Sequence, residues 1–301
     1  MIPVKTAKYI LIIVLLDRLP ANAAIPIVVP NAAENVEGND LGYTPFSDAF
    51  VQQTRYQQVY HASQFSAVPP RGAFISAIIF RPDCLKGNGN STLTNAQLNL
   101  STSLKEPDHL SQVFAENVGT NHATVLGPRT VGIGGTGGGC PSGFGFGSLL
   151  VLDTPFFYNP AQGNLLMEVL FNGASYGNPG GFALDAVNST NDAVSRIFAR
   201  ASDATVATQV DAVGLVTLFE FNLVPSLTNS LTTNTLAITW PVRPNNFVLQ
   251  WTDSIGTGAD WRLYTDAIGG NDLYHVLSLP RDSLQGARFF RLACPSCPPI
   301  Q

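Results

Sequence analysis

The chain has 301 residues, 45% of them hydrophobic, and a net charge of −5; that is enough for one large or two moderate domains with a sizeable core. Charged residues make up only 12%, about half of the usual share of roughly 25%. No Lys/Arg cluster occurs, which excludes the basic surface that a nucleic-acid partner requires. Glycine (27) and proline (21) are abundant, a mixture suited to short strands joined by turns.

The first element is a leader. Lys5 and Lys8 precede an apolar run at 10–16, and Ala21-Asn22-Ala23 follows as an A-x-A cleavage pattern. This combination predicts a secretory signal peptide over 1–23. The run is too short for a membrane span, which needs about twenty apolar residues. No later segment of that kind appears, so the expected mature chain starts near Ala24, has no membrane span and works outside the cytoplasm. Export also bears on the four cysteines, which should pair in an oxidising compartment. Four cysteines allow three connectivities. The simplest joins Cys84 to Cys140 and Cys294 to Cys297.

From residue 24 onward helical periodicity is nearly absent. The run FISAIIF at 74–80 reads as a buried strand closed by Arg81-Pro82-Asp83. Ala96, Leu98 and Leu100 alternate with polar residues, which predicts a half-buried strand. Further strands are predicted at 148–153, 165–171, 181–187, 195–199 and 215–224, separated by Asn, Pro and Gly turns. Many short strands at near-regular spacing predict a sandwich or barrel, here a jelly-roll-like β-sandwich over 24–224.

At 225–235 the texture turns polar, and a linker is expected. Strands then restart at 236–240, 247–251, 261–265, 275–279 and 288–292. All three tryptophans, 240, 251 and 261, fall here and would anchor a small core. A compact immunoglobulin-like β-sandwich is expected over 236–294, with a tail at 295–301.

The pieces ITWP (238–241), FVLQ (247–250), Trp261 and RFFRL (288–292) resemble a C-terminal β-sandwich module of exported bacterial proteins. In the first section, TRYQQVYHASQFS (54–66), ISAIIFRPD (75–83), AQLNLSTS (96–103) and TPFFYNPAQGNLLMEV (154–169) resemble exported bacterial proteins of the exosortase-sorted (PEP-CTERM) kind. Neither resemblance implies a reaction. The sorting tail of that kind is missing, since the chain ends in CPSCPPIQ, so no exosortase processing is implied.

Several motifs invite chemistry. GIGGTG at 132–137 fits G-x-G-x-x-G, but a dinucleotide turn needs a helix directly after it. The following Gly138-Gly139-Cys140-Pro141 cannot propagate one, so an inter-strand loop is expected, pinned by Cys140. Cys294 and Cys297 form a CxxC, but Pro298-Pro299 forbids the helix of a redox motif, and a zinc site lacks two further ligands. Histidines 61, 109, 122 and 275 are dispersed, and no G-x-S-x-G elbow is present.

Two carboxylates sit mid-strand, Glu168 in NLLMEVLF and Asp185 in GFALDAV. On neighbouring strands they could form the acid and base of a glycosidase. Alternation places Glu168 on a face with Leu166 and Leu170, a partly apolar surround. Asp185, Asn188 and Asp192 surround one turn and offer oxygens to Ca2+; no other cofactor is expected. Phe156, Phe157 and Tyr158, read as a loop, and Tyr176 in a glycine-rich turn could form a platform for sugar rings. The resulting expectation is a secreted, non-catalytic binding or structural protein of the cell surface or matrix, with polysaccharide as first ligand. The alternative is a glycan-acting hydrolase using Glu168 and Asp185.

Overall fold

The computed structural model describes residues 24–46, 52–136, 145–177, 182–242, 247–271, 273–280 and 287–294. The expected leader, the loop with Cys140 and the tail with Cys297 lie outside the described residues. The fold is all-β, and the chain divides into two compact units, Ala24–Leu223 and Val224–Gln301. Among the described residues no helix is long and apolar enough to cross a membrane.

The first unit contributes, in chain order, β1 (Ile25–Val29), β2 (Asp40–Gly42), β3 (Thr54–Tyr60), β4 (Ala73–Phe80), β5 (Gly89–Ser103), β6 (Ala123–Gly135) and β7 (Leu149–Tyr158). It continues with β8 (Asn164–Phe171), β9 (Gly173–Tyr176), β10 (Leu184–Asn188), β11 (Val194–Ala199), β12 (Gln209–Asp211), β13 (Val213–Leu215) and β14 (Thr217–Leu223). These pair antiparallel into three sheets. One has the order β1-β14-β4-β7, a second β13-β10-β2, and the large third β12-β11-β3-β8-β5-β6, with β9 also on β5. One core joins all three. Tyr56 and Tyr60 of β3 and Met167 and Val169 of β8 meet Ile75 and Phe80 of β4, Phe219 and Phe221 of β14, and Leu184 of β10.

Strand β8 shows how the layers form. Leu165, Met167, Val169 and Phe171 point into the main core. Leu166 points the other way, into a second apolar cluster with Val59, Leu110, Phe114 and Ile197. A strand covered on both faces loses its alternation and reads as a continuous apolar run. Strand β4 reads the same way for a different reason. Its register shifts at Ser76: against β14, Ser76 is the extra residue of a bulge, and against β7 it stands opposite residues 152–155, where the surplus lies on β7. Ala73 and Ile75 face the core before the bulge, and Ile78 and Phe80 after it.

The second unit holds β15 (Thr228–Leu231), β16 (Thr235–Pro241), β17 (Val248–Thr252), β18 (Arg262–Leu263), β19 (Gly269–Gly270), β20 (Tyr274–Pro280) and β21 (Phe289–Ala293). They form a four-stranded sheet, β15-β16-β20-β19, and a three-stranded sheet, β18-β17-β21. Ile238, Trp240, Leu277 and Leu279 of the first pack on Leu249, Phe290 and Leu292 of the second. This is a small β-sandwich of two antiparallel sheets.

Three expectations are corrected. The polar run at 225–235 contains β15, paired with β16, because Ser and Thr tolerate a strand when a neighbour supplies its hydrogen bonds. The expected strand at 215–224 is two strands in different sheets, β13 and β14, divided at Val216. Of the three tryptophans, only Trp240 is buried in the small core. Trp251 and Trp261 are half-buried, with Arg262 and Arg288 over the first ring and Arg291 over the second.

Candidate functional site

Glu168 lies at the middle of the large sheet, between Gln57 of β3 and Asn99 of β5 in register. In-register neighbours share a face, so the outer face at this point is polar across the strands while apolar along β8. Glu168 is 4% exposed. Its Oε1 accepts from Arg55 Nε and Gln57 Nε2, each at 2.9 Å, and pairs with a second Arg55 nitrogen at 2.9 Å. Its Oε2 accepts from Asn99 Nδ2 at 2.8 Å, with His122 Nε2 at 3.7 Å. The donors are held in turn. Arg55 donates to the Ala204 carbonyl and stacks over Phe114. Gln57 accepts from Asn117 and donates to the Phe114 carbonyl. A carboxylate has about four lone-pair sites, and here they are committed to donors. The arrangement is that of an acceptor hub tying the 105–118 segment to the sheet.

Asp185 is elsewhere. Strand β8 pairs with β3 and β5, whereas β10 pairs with β13 and β2 in another sheet. The expected carboxylate pair is therefore not formed: Glu168 and Asp185 belong to two separate ion-pair networks. Asp185 and Arg81 are both fully buried. Arg81 Nε donates to Asp185 Oδ2 at 2.7 Å, and a second guanidinium nitrogen contacts the same oxygen. The remaining donors hold the backbone of the N-terminal segment, at the carbonyls of Ala33 (2.6 Å) and Val36 (2.7 Å). Gly38 N–H returns to Asp185 Oδ1 at 2.9 Å. Arg81 thus ties β4 and β10 to the 33–38 stretch.

Two more acids, Glu37 and Asp83, each bring an oxygen within 4.8 Å of Asp185 and of one another. Asp83 Oδ1 caps the N–H groups of Leu85 and Lys86, and Glu37 Oε1 accepts from Cys84 N–H. Burial is the main cause that raises the Glu37 pKa, and the neighbouring Asp83 charge adds to it. The donor set does not suit Ca2+, which takes six to eight oxygens. Most of these oxygens already accept N–H bonds, and the Arg81 guanidinium supplies the positive charge.

The expected calcium turn does not assemble either. Asp185 and Asn188 are three apart on β10 and point to opposite faces. Asn188 is exposed and bonds Asp40 and Asn39. Asp192 Oδ1 caps Val194 N–H. Its Oδ2 is buried without a partner among the described residues, and burial raises its pKa.

The aromatic platform is also corrected. Phe156, Phe157 and Tyr158 are the end of β7, not a loop, and all three are buried. Phe156 and Tyr158 enter the main core. Phe157 turns to the opposite face and meets Phe74 edge-on at 5.3 Å. Tyr158 donates its hydroxyl to the Gly163 carbonyl. Tyr176 is half-buried on β9. The glycine motif starts inside β6, where Gly132, Gly134 and Gly135 pair with β5, so no helix start faces it up to Gly135. No described cysteine is free.

Sequence reasoning missed Arg55, Gln57, Asn99, Arg81 and Glu37. One signal was present: Arg81 directly follows an unbroken buried run, where a cation needs a buried acid.

One consequence follows for pH. Burial raises the Asp185 carboxyl from its ordinary 3.8 to about 6; Arg81 opposes this and the Glu37 charge reinforces it. A raised carboxyl favours folding most below its unfolded pKa, and that contribution is lost as pH rises through about 6. The stability of the native protein relative to Asp185→Asn should therefore fall by up to about 3 kcal/mol between pH 4 and pH 7, at about 1.4 kcal/mol per unit. Urea unfolding of both proteins across that range checks this; a difference that stays flat or grows contradicts it.

No protein-family model matches the chain, and no curated protein matches it.

Proposed function

We propose that this is an exported, non-catalytic β-protein that binds or scaffolds outside the cytoplasm, with polysaccharide the ligand class to test first. The observation that carries the reading is the state of Glu168: both oxygens accept from fixed donors of Arg55, Gln57 and Asn99. A glycosidase pair needs a second carboxylate across the bond, and Asp185, the one the sequence offers, lies in a different sheet from Glu168. Export is supported by the leader pattern at 1–23 and by the lack of a free described cysteine. The pairing Cys84–Cys140 and Cys294–Cys297 is part of the proposal. Non-reducing digestion should give those two linked peptides, and a Cys84–Cys294 peptide would rule that pairing out.

With 156–158 in the core, the half-buried aromatics that remain for a sugar ring include Tyr176, Trp251 and Trp261. The test is binding of the purified protein to a polysaccharide panel, with and without Ca2+, with each mixture assayed for new reducing ends. Binding that needs no Ca2+ and releases no reducing ends is expected. Release of reducing ends by the wild type would make the protein a hydrolase.

A further inference from the structure

We propose that β15 is a docking edge for a second copy of this chain, whose own β15 adds antiparallel and joins two four-stranded sheets into one. Strand β15 is the outer strand of its sheet, pairs among the described residues only with β16, and all four of its residues are exposed. The hairpin bond from Thr232 N–H to the Thr235 carbonyl, 2.9 Å, sets the alternation. Bonded pairs recur every second residue in an antiparallel ladder, so Thr228 and Ser230 turn their N–H and C=O toward β16. Asn229 and Leu231 turn theirs toward the free edge.

An open edge is a template for another strand, and natural sheets blunt such edges with proline, charge, bulges or shortness. The other edges here follow that rule. Pro26 lies in β1, Pro155 in β7, and Pro128 with Arg129 in β6; Arg291 lies in β21. Strands β2, β12, β13, β18 and β19 are two or three residues long, and β9 is partly covered. Strand β15 has no proline, no charge and a continuous register with β16.

The occupant follows from the segment itself. Residues 224–242 carry no charged side chain, and from Val224 onward five arginines balance five aspartates. The net charge of −5 therefore comes from the rest of the chain, and two copies meet with least repulsion through the second unit. Two copies of the strand pair antiparallel when centred on Ser230. Asn229 of one copy faces Leu231 of the other, twice, so the outward groups of both exchange backbone hydrogen bonds. The two Ser230 residues meet at a non-hydrogen-bonded position, where the chains come closest and a small side chain fits. So short a contact gives a weak, concentration-dependent dimer.

Sedimentation equilibrium of the purified protein alone tests this, and with no polysaccharide in the cell the outcome does not depend on the binding reading. The weight-average mass should climb from monomer toward dimer with concentration. Asn229→Pro removes an N–H that only the dimer uses and leaves the β16 hairpin intact; Leu231→Lys sets a charge on the edge. Each should weaken association at least about tenfold, the scale of one lost net hydrogen bond, with an unchanged circular dichroism spectrum. If Asn229→Pro unfolds the second unit, Leu231→Lys decides. A wild type that stays monomeric at every concentration, or a folded variant that associates like the wild type, overturns the proposal.

Discussion

Arg81→Met is expected to lower folding stability by about 3–5 kcal/mol, the range for removing one partner of a buried ion pair. The guanidinium is fully buried. It neutralises Asp185 and also satisfies the carbonyls of Ala33 and Val36. Methionine fills a similar volume but offers no donor, so Asp185 Oδ2 and two carbonyls lose their Arg81 partner at once. Adding Asp185→Asn should restore only part of the loss, because the carbonyls stay unpaired. Urea unfolding followed by far-UV circular dichroism measures this. Tryptophan fluorescence is the wrong probe, since all three tryptophans lie after Val224. A loss below about 1 kcal/mol, the level of an exposed pair, would show that Arg81 does not hold the N-terminal segment.

Glu168→Ala is the second large effect, with an expected loss of about 3 kcal/mol, since buried donors left unmatched cost about 1–3 kcal/mol each and partial relaxation recovers some of it. Arg55, Gln57 and Asn99 each lose an acceptor, while Arg55 and Gln57 keep the Ala204 and Phe114 carbonyls. Glu168→Gln keeps one oxygen but turns an NH2 group toward donors, so its loss should be smaller and still measurable. Hydrogen exchange should locate the damage: the 105–118 segment, tied to the hub through Gln57 and Asn117, should exchange faster. Equal protection there in the variant and wild type would remove the structural role.

These two residues also show where sequence reading stops. The all-β class was legible, because turn residues punctuate short apolar runs throughout. Alternation correctly placed Glu168 on a face with Leu166. It could not reveal Gln57 and Asn99, which lie 111 and 69 residues away along the chain and become neighbours only through strand order. The partner of Asp185 lies 104 residues away for the same reason. FISAIIF was legible as a strand, but its two half-faces depend on the bulge at Ser76, which leaves no periodic signature. Three consecutive aromatics after a proline read as a loop, yet β7 resumes its pairing with β4 after the irregularity at 152–155 and runs through Tyr158. Polar β15 read as a linker because threonine, serine and asparagine suit both roles; only its pairing with β16 separates them.

The most direct test of the central claim is a comparison of wild type and Glu168→Gln on the same polysaccharide panel, at a temperature where both are folded, scored for bound protein and for released reducing ends. The account predicts no release from either protein and equal binding, because Glu168 works inside the fold. Release by the wild type that disappears in Glu168→Gln would contradict it and make Glu168 a catalytic carboxylate.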